Sequence, residues 1–330
     1  MLKFGRDAGL RASGNAPAVC YHQIKVRLLN FTKRIARFGC AKACILLLSA
    51  VGWSQTNTVS PYHDPGELVR KAVENEIAAS NDHSSRSLFR GTKTTPRGSA
   101  TKIYVETAEA TVGLVVAYDG KPLSPDQRKG EDARLERFLN NPEEMRKKKA
   151  QEREDAGRTM RIVRAMPDAF LYEYDGQETG SAGIGKAGDP LVKLKFRPNP
   201  SYDPPTRVEE VLRGMEGFVL VDAAHERVAT IDATLARDVG FGWGILGHLD
   251  KGGRFVVHQQ MVEGNLWEIS QMSLKFTGKI LLVKSLLIDS TEEFSGFKRV
   301  PADLTFAQGL EMARKENGAA TASGTAAESR

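Results

Sequence analysis

The sequence predicts an α+β fold in which antiparallel strands follow one another along the chain and helices cover them. Three observations lead there. In "PLVKLKFRP", Val192, Leu194 and Phe196 alternate with Lys193, Lys195 and Arg197, the period of a strand buried on one face. Between residues 215 and 288, further runs rich in β-branched residues are joined by short connections carrying turn residues, which makes them sequential hairpins. Two earlier stretches, about 64–80 and 124–166, carry helix signals instead.

The chain begins with a basic segment. Residues 1–54 hold nine Lys/Arg and one acid, Asp7, which leaves 38 Lys/Arg against 40 Asp/Glu in the remainder. The net charge of +6 therefore belongs to the N-terminus, and no basic body remains to hold nucleic acid. The apolar run "ACILLLSAV" is about half the length that spans a bilayer. Gly52 and Ser54 follow it at the −3 and −1 positions of a cut before Gln55. This is the pattern of an export signal with a long basic lead, and the expected location is periplasmic. Ile24, Leu28, Phe31, Ile35 and Phe38 share one helical face within it, so a membrane-surface helix is the alternative. Cys20, Cys40 and Cys44 all precede the cut, so the mature chain is expected to hold no disulfide and no thiolate site.

Residues 55–312 are expected to form one domain. Asp64 and Pro65 open a helix whose stripe is Leu68, Val69, Ala72, Val73 and Ile77. "TKIYVET" and "TVGLVVAYDGKPLS" read as strands, the second with an Asp119-Gly120 turn. The charged stretch 124–166 reads as a helical insertion that restarts at Asn141-Pro142, with Glu143/Lys147 and Glu144/Lys148 spaced for ion pairs. "FLYEYDG" and "PLVKLKFRP" are strands on either side of "GSAGIGKAG". "TRVEEVLRGM" reads as a short helix, and the tail 313–330 as a low-complexity segment without regular structure.

Two runs break simple alternation. "KILLVKSLLI" is apolar on both faces. "NLWEISQMSLKF" changes phase between Ile269 and Met272, which calls for a bulge.

The stretch from Phe170 to Val300 resembles the LolA-like family of lipoprotein-sorting and lipid-carrier proteins. The resemblance lies in a strand ending in Asp222, a turn, Arg227 opening the next strand, Trp267 after a later turn, and the closing Phe294 and Phe297. The family often has Pro two residues after that Trp, where this chain has Ile269, and the insertion at 124–166 is extra. The resemblance implies a strongly curved antiparallel β-sheet, an unclosed barrel covered by helices, whose apolar concave side takes acyl chains.

The expected function is a non-enzymatic envelope carrier holding a lipid or an acylated protein in an apolar cavity between sheet and helices, with transient membrane contact. An envelope sensor or protein-interaction module, using the charged helix as its surface, is the alternative. Candidate ligand contacts are Phe241, Trp243, Ile245 and Leu246 in the glycine-rich "DVGFGWGILGHL", and Leu282, Leu286 and Ile288 in the two-faced run. His63, His83, His225, His248 and His258 show no metal-binding spacing, so no metal and no cofactor are expected. Asp222 and Asp232 alone are weak evidence for acid/base chemistry. "GSAGIGKAG" contains G-x-G-x-x-G and nearly a phosphate loop, but a strand follows it where a helix is required.

Overall fold

The computed structural model describes residues 63–241, 247–280 and 284–328. Residues 1–62, with the expected export signal and the three cysteines, lie outside the described residues. No helix among the described residues is long and apolar enough to cross a membrane.

The architecture is α+β, as expected: a 13-stranded antiparallel sheet that does not close, with helices packed on it. Helix α1 (Pro65–Asn81) comes first, and Asp64 caps it by accepting from Gly66 N at 2.9 Å. Strands β1 (Arg86–Thr95), β2 (Gly98–Val105), β3 (Val112–Tyr118) and β4 (Lys121–Pro122) form a meander. Helices α2 (Pro125–Asn140) and α3 (Pro142–Ala169) follow. Strands β5 (Phe170–Thr179), β6 (Pro190–Pro198), β7 (Met215–Asp222) and β8 (Arg227–Leu235) continue the sheet. Then come β9 (Val239–Phe241), β10 (Gly247–Leu249), β11 (Arg254–Val262), β12 (Leu266–Ile280), β13 (Lys284–Val300) and helix α4 (Phe306–Glu328). The spatial order is β4-β3-β2-β1-β13-β12-β11-β8-β7-β6-β5, so the two ends of the chain's strand series meet at β1 and β13.

The restart at Asn141-Pro142 is where the sequence places it. Asn141 accepts from the amides of Glu143 and Glu144, and Pro142 needs no donor at that position. The charges of α3 mostly satisfy one another: Lys147 pairs with Glu143 at 2.9 Å, while Lys148 turns to Glu152 at 2.6 Å rather than to Glu144. Its C-terminal half is anchored, because Met160, Val163 and Met166 are buried.

Helices α1 and α3 cover β6, β7 and β8. Leu68, Val69, Ala72 and Val73 meet Leu194, Phe196, Val219 and Val221 in one packed cluster. Each of the Leu, Val and Phe side chains contributes about 1.5–3 kcal/mol by leaving water. The face that was to hold a cavity between sheet and helices is, along α1 and α3, filled by side chains.

Four expectations need correction. Strand β1 went unread because Leu88 and Phe89, adjacent in sequence, are both buried in different clusters, which erases alternation. The short helix expected at 206–215 forms, but as a 3-10 helix confined to residues 209–214. The tail from 313 continues α4 as far as Glu328; Leu310 and Ala313 form part of the buried face of this helix, and the alanine-rich composition that reads as low complexity also favours helix. The fourth, the run "KILLVKSLLI", concerns the candidate site.

The phase change in β12 is a bulge. His258 pairs with Gln271 and Gln259 with Ile269, which leaves Ser270 as the extra residue. Phe297 stacks on Phe89 with ring centroids 5.4 Å apart, and Phe294 meets the same ring edge-on at 5.9 Å.

Candidate functional site

The run 280–288 is not one strand. Ile280 pairs with Lys284, Gly278 with Leu286 and Phe276 with Ile288, so the chain reverses between Ile280 and Lys284. The reversal was hidden because Leu281-Leu282-Val283 contains none of the usual turn residues. Apolarity on both faces here marks the end of a hairpin, not a strand between two covers.

That hairpin end has a neighbour. The last partner of β11 on β12 is Lys275, facing Arg254. Beyond it β12 pairs with β10: Leu249 with Gly278, His248 with Lys279 and Gly247 with Ile280. Strand β10 in turn pairs with β9, where Gly247 faces Phe241. The order across this end of the sheet is therefore β9-β10-β12-β13. Phe241, Leu286 and Ile288 all lie on it, although the sequence presents them as two separate segments. Trp243, Ile245, Leu246 and Leu282 lie outside the described residues. Ile288 and Leu249 pack against the main cluster, and Leu286 is partly buried. Leu287, on the opposite side, is 65% exposed, the most exposed large apolar side chain among the described residues.

Main chains approach very closely at this junction. A Cβ on Gly278 would sit 2.1 Å from His248 O, so only glycine permits β10 to dock here.

The residues that carry the family resemblance form a second constellation. Glu76, on the apolar face of α1 and 1% exposed, takes both arms of Arg227 at 2.8 Å. It also accepts from Val228 N at 3.2 Å, and Gln259 Nε2 lies 3.4 Å away. Arg227 lies over the ring of Trp267 at 5.5 Å. Asp222 closes the turn before Arg227 by accepting from the amides of Ala224 and His225 at 3.1 and 2.9 Å. These side chains pin α1 to the start of β8. Sequence periodicity places Glu76 on the helix, and only its partner explains an acid on the buried face.

The glycine loop is explained by the same region. Strands β8 and β11 pair only as far as Thr230 and His258. Past that point Gly185 takes the place of β8: its N–H donates to Gln259 O at 2.7 Å, and Met261 N donates to Gly185 O at 3.1 Å. Ile184 packs with Leu191, Ala229 and Trp267. The amides of Gly180, Ser181, Ile184, Gly185 and Gly188 are all bonded to main-chain carbonyls, so they are not free to cradle a phosphate. Gly185 has φ +65° and room only for hydrogen. The loop is a wedge inserted in the sheet, not the flexible connection that its composition suggests.

Asp222 and Asp232 do not form a pair. Asp232 faces Phe218, four residues along β7 from Asp222, about 13 Å at strand rise. It is forked by Arg254 at 3.0 and 2.6 Å.

His258 lies beside this region, with Nδ1 3.0 Å from Thr230 Oγ1. Burial lowers its pKa below the ordinary 6.5, and the Asp232 charge only partly counters that. The unfolded chain therefore takes up the proton more readily than the folded one. Stability from this residue is present above about pH 6.5 and is lost as pH falls toward the lowered folded value. Melting temperatures across about pH 5–8 are expected to fall on the acid side, and His258→Gln is expected to flatten that fall. An unchanged slope in the variant would exclude the assignment.

A depression along α2 is lined by Arg128, Lys129, Asp132 and Glu136, a charged lining unsuited to an acyl chain.

No protein-family model matches the sequence, and no curated protein matches it. A solved structure, that of a DUF1329 family protein from Desulfovibrio piger, aligns over 72% of this chain and 93% of that one. The identity is 12% and the TM-score 0.26, a likeness too slight to carry an argument.

Proposed function

We propose that the protein is a cell-envelope lipid-binding carrier that holds an acyl chain at the β9-β10-β12-β13 end of its open sheet. The observation that supports this is the convergence of two apolar hairpins on that end, with Leu286 and Ile288 partly buried on one face of β13. An open antiparallel sheet leaves such surface where a closed barrel would cover it. Binding needs no catalytic group, since each buried methylene contributes about 0.8 kcal/mol. The packing beneath α1 and α3 moves the proposed contact away from the helices and toward the hairpins. The ligand is a lipid or the lipid portion of an acylated protein, and contact with the membrane is transient. The exported, periplasmic location read from residues 1–54 is part of the same proposal.

The test is extraction of the purified protein with organic solvent and mass spectrometry of what it carried. Stoichiometric acyl lipid is expected from the wild type. The Leu286→Asp/Ile288→Asp variant, with its fold checked by circular dichroism, is expected to retain a small fraction of that. Lipid-free wild-type protein that also fails to take up a fluorescent fatty acid would overturn the reading.

A further inference from the structure

Three ligand-type side chains meet where the glycine loop approaches the β7–β8 turn. Asp189 ends the loop, and Asp222 and His225 belong to the turn. One ligand atom of each lies within 4.8 Å of the others. Asp222 is fully buried. Its Oδ1 is occupied by two amides, but its Oδ2 has no hydrogen bond. Nδ1 of His225 also has none, although the two atoms are 3.0 Å apart, because donor and acceptor are not aligned. Two buried electron-pair donors at that distance repel each other unless a positive charge sits beside both.

We propose that Asp189, Asp222 and His225 bind one divalent transition-metal cation. Two carboxylate oxygens and one imidazole nitrogen suit a cation of the Zn2+ class, with a fourth position left for water. The Oδ1 contacts of Asp222 hold its carboxylate in orientation, as outer partners do in metal sites. Asp189 already meets a cation: Lys186 Nζ lies 3.1 Å from its Oδ2. Lys186 is about half exposed and can swing away, so it competes with the metal without blocking it. The bound ion would tie the β5–β6 loop to the β7–β8 turn and hold the wedge at Gly185 in place. This inference does not depend on the lipid-carrier reading.

Zn2+ is the probe. The full chain, with Cys20, Cys40 and Cys44 changed to Ser so that thiols take no metal, is stripped with chelator and titrated by calorimetry. One saturable site is expected. His225→Ala and Asp189→Asn are each expected to weaken it at least tenfold, and Lys186→Gln to strengthen it. The indole of Trp267 lies 5.9 Å from the His225 ring, so its fluorescence is expected to change on binding in the wild type and not in His225→Ala. Asp189 is on a partly exposed turn and Lys186 is exposed, so those two variants test the site without disturbing the core. Absence of a saturable site, or Zn2+ binding unchanged in folded His225→Ala and Asp189→Asn, overturns the proposal. In that case the three side chains meet only through the packing of the loop against the turn.

Discussion

Glu76→Ala is expected to lower the unfolding free energy by about 3–5 kcal/mol, the range for breaking a buried ion pair from one side. Arg227 would keep its charge in a site where it is only 13% exposed and would lose the carboxylate that meets it with two hydrogen bonds. Val228 N would lose an acceptor as well. Urea unfolding followed by far-ultraviolet circular dichroism measures the loss. Glu76→Gln is expected to cost less, because it keeps one acceptor oxygen while losing the charge and the second acceptor for Arg227. The double change Glu76→Leu/Arg227→Leu is expected to be milder than Glu76→Ala, since it leaves no unpaired charge behind. A loss below about 1 kcal/mol in Glu76→Ala would show that the pair behaves like a surface salt bridge and that α1 is held by apolar contacts alone.

Gly278→Val is expected to detach the β9–β10 hairpin from β12 while the rest of the sheet stays folded. The added Cβ would fall 2.1 Å from His248 O, and a main-chain atom held in a ladder cannot rotate aside. Hydrogen exchange is the direct readout: amides in 247–249 and 278–280 should lose protection, and those of β6 and β7 should keep it. Under the carrier reading, retained lipid should fall about tenfold or more, equivalent to about 1.4 kcal/mol of binding. Gly157→Ala is the control. Nothing lies within 4 Å of its added Cβ, and a helical glycine replaced by alanine should slightly stabilise α3. Protection at 247–249 that survives Gly278→Val would mean the hairpin is held by something other than this ladder. Lipid retention that survives the loss of protection would remove the hairpin from the binding site.

Much of the fold was legible because its signals are local. Asp64-Pro65 and Asn141-Pro142 announce helix starts through the geometry of a few adjacent atoms, and both caps form. The alternation of Val192, Leu194 and Phe196 marks a strand with one buried face, and all three are buried. A phase change in "NLWEISQMSLKF" can be read as a bulge because strand periodicity leaves no other way to keep both halves facing the core. The bulge is at Ser270.

The candidate site was only half legible. Apolarity singles out Phe241, Leu286 and Ile288 as candidates, but which strands lie side by side is a property of pairing between distant segments. Residues 241 and 286 come to the same end of the sheet only because β12 pairs with both β10 and β13. The same run that looked like a two-faced wall is a reversal, since hydropathy cannot distinguish a buried strand from a hairpin end without turn residues.

By itself, the sequence determined the class of fold, its caps, most of its strands and the absence of a helix for a phosphate loop, because each depends on neighbouring residues. The tertiary structure decided what Glu76 and one loop do, and it brought three further side chains together. Glu76 is an acid on a buried face until Arg227, 151 residues away, meets it. Asp189 and the pair Asp222 and His225 are unremarkable turn residues until two hairpins bring them within 4.8 Å. "GSAGIGKAG" reads as a nucleotide loop or a slack linker until Gly185 is seen filling the gap that opens between β8 and β11. In each case the deciding contact joins segments far apart in the chain, and no local pattern carries that information.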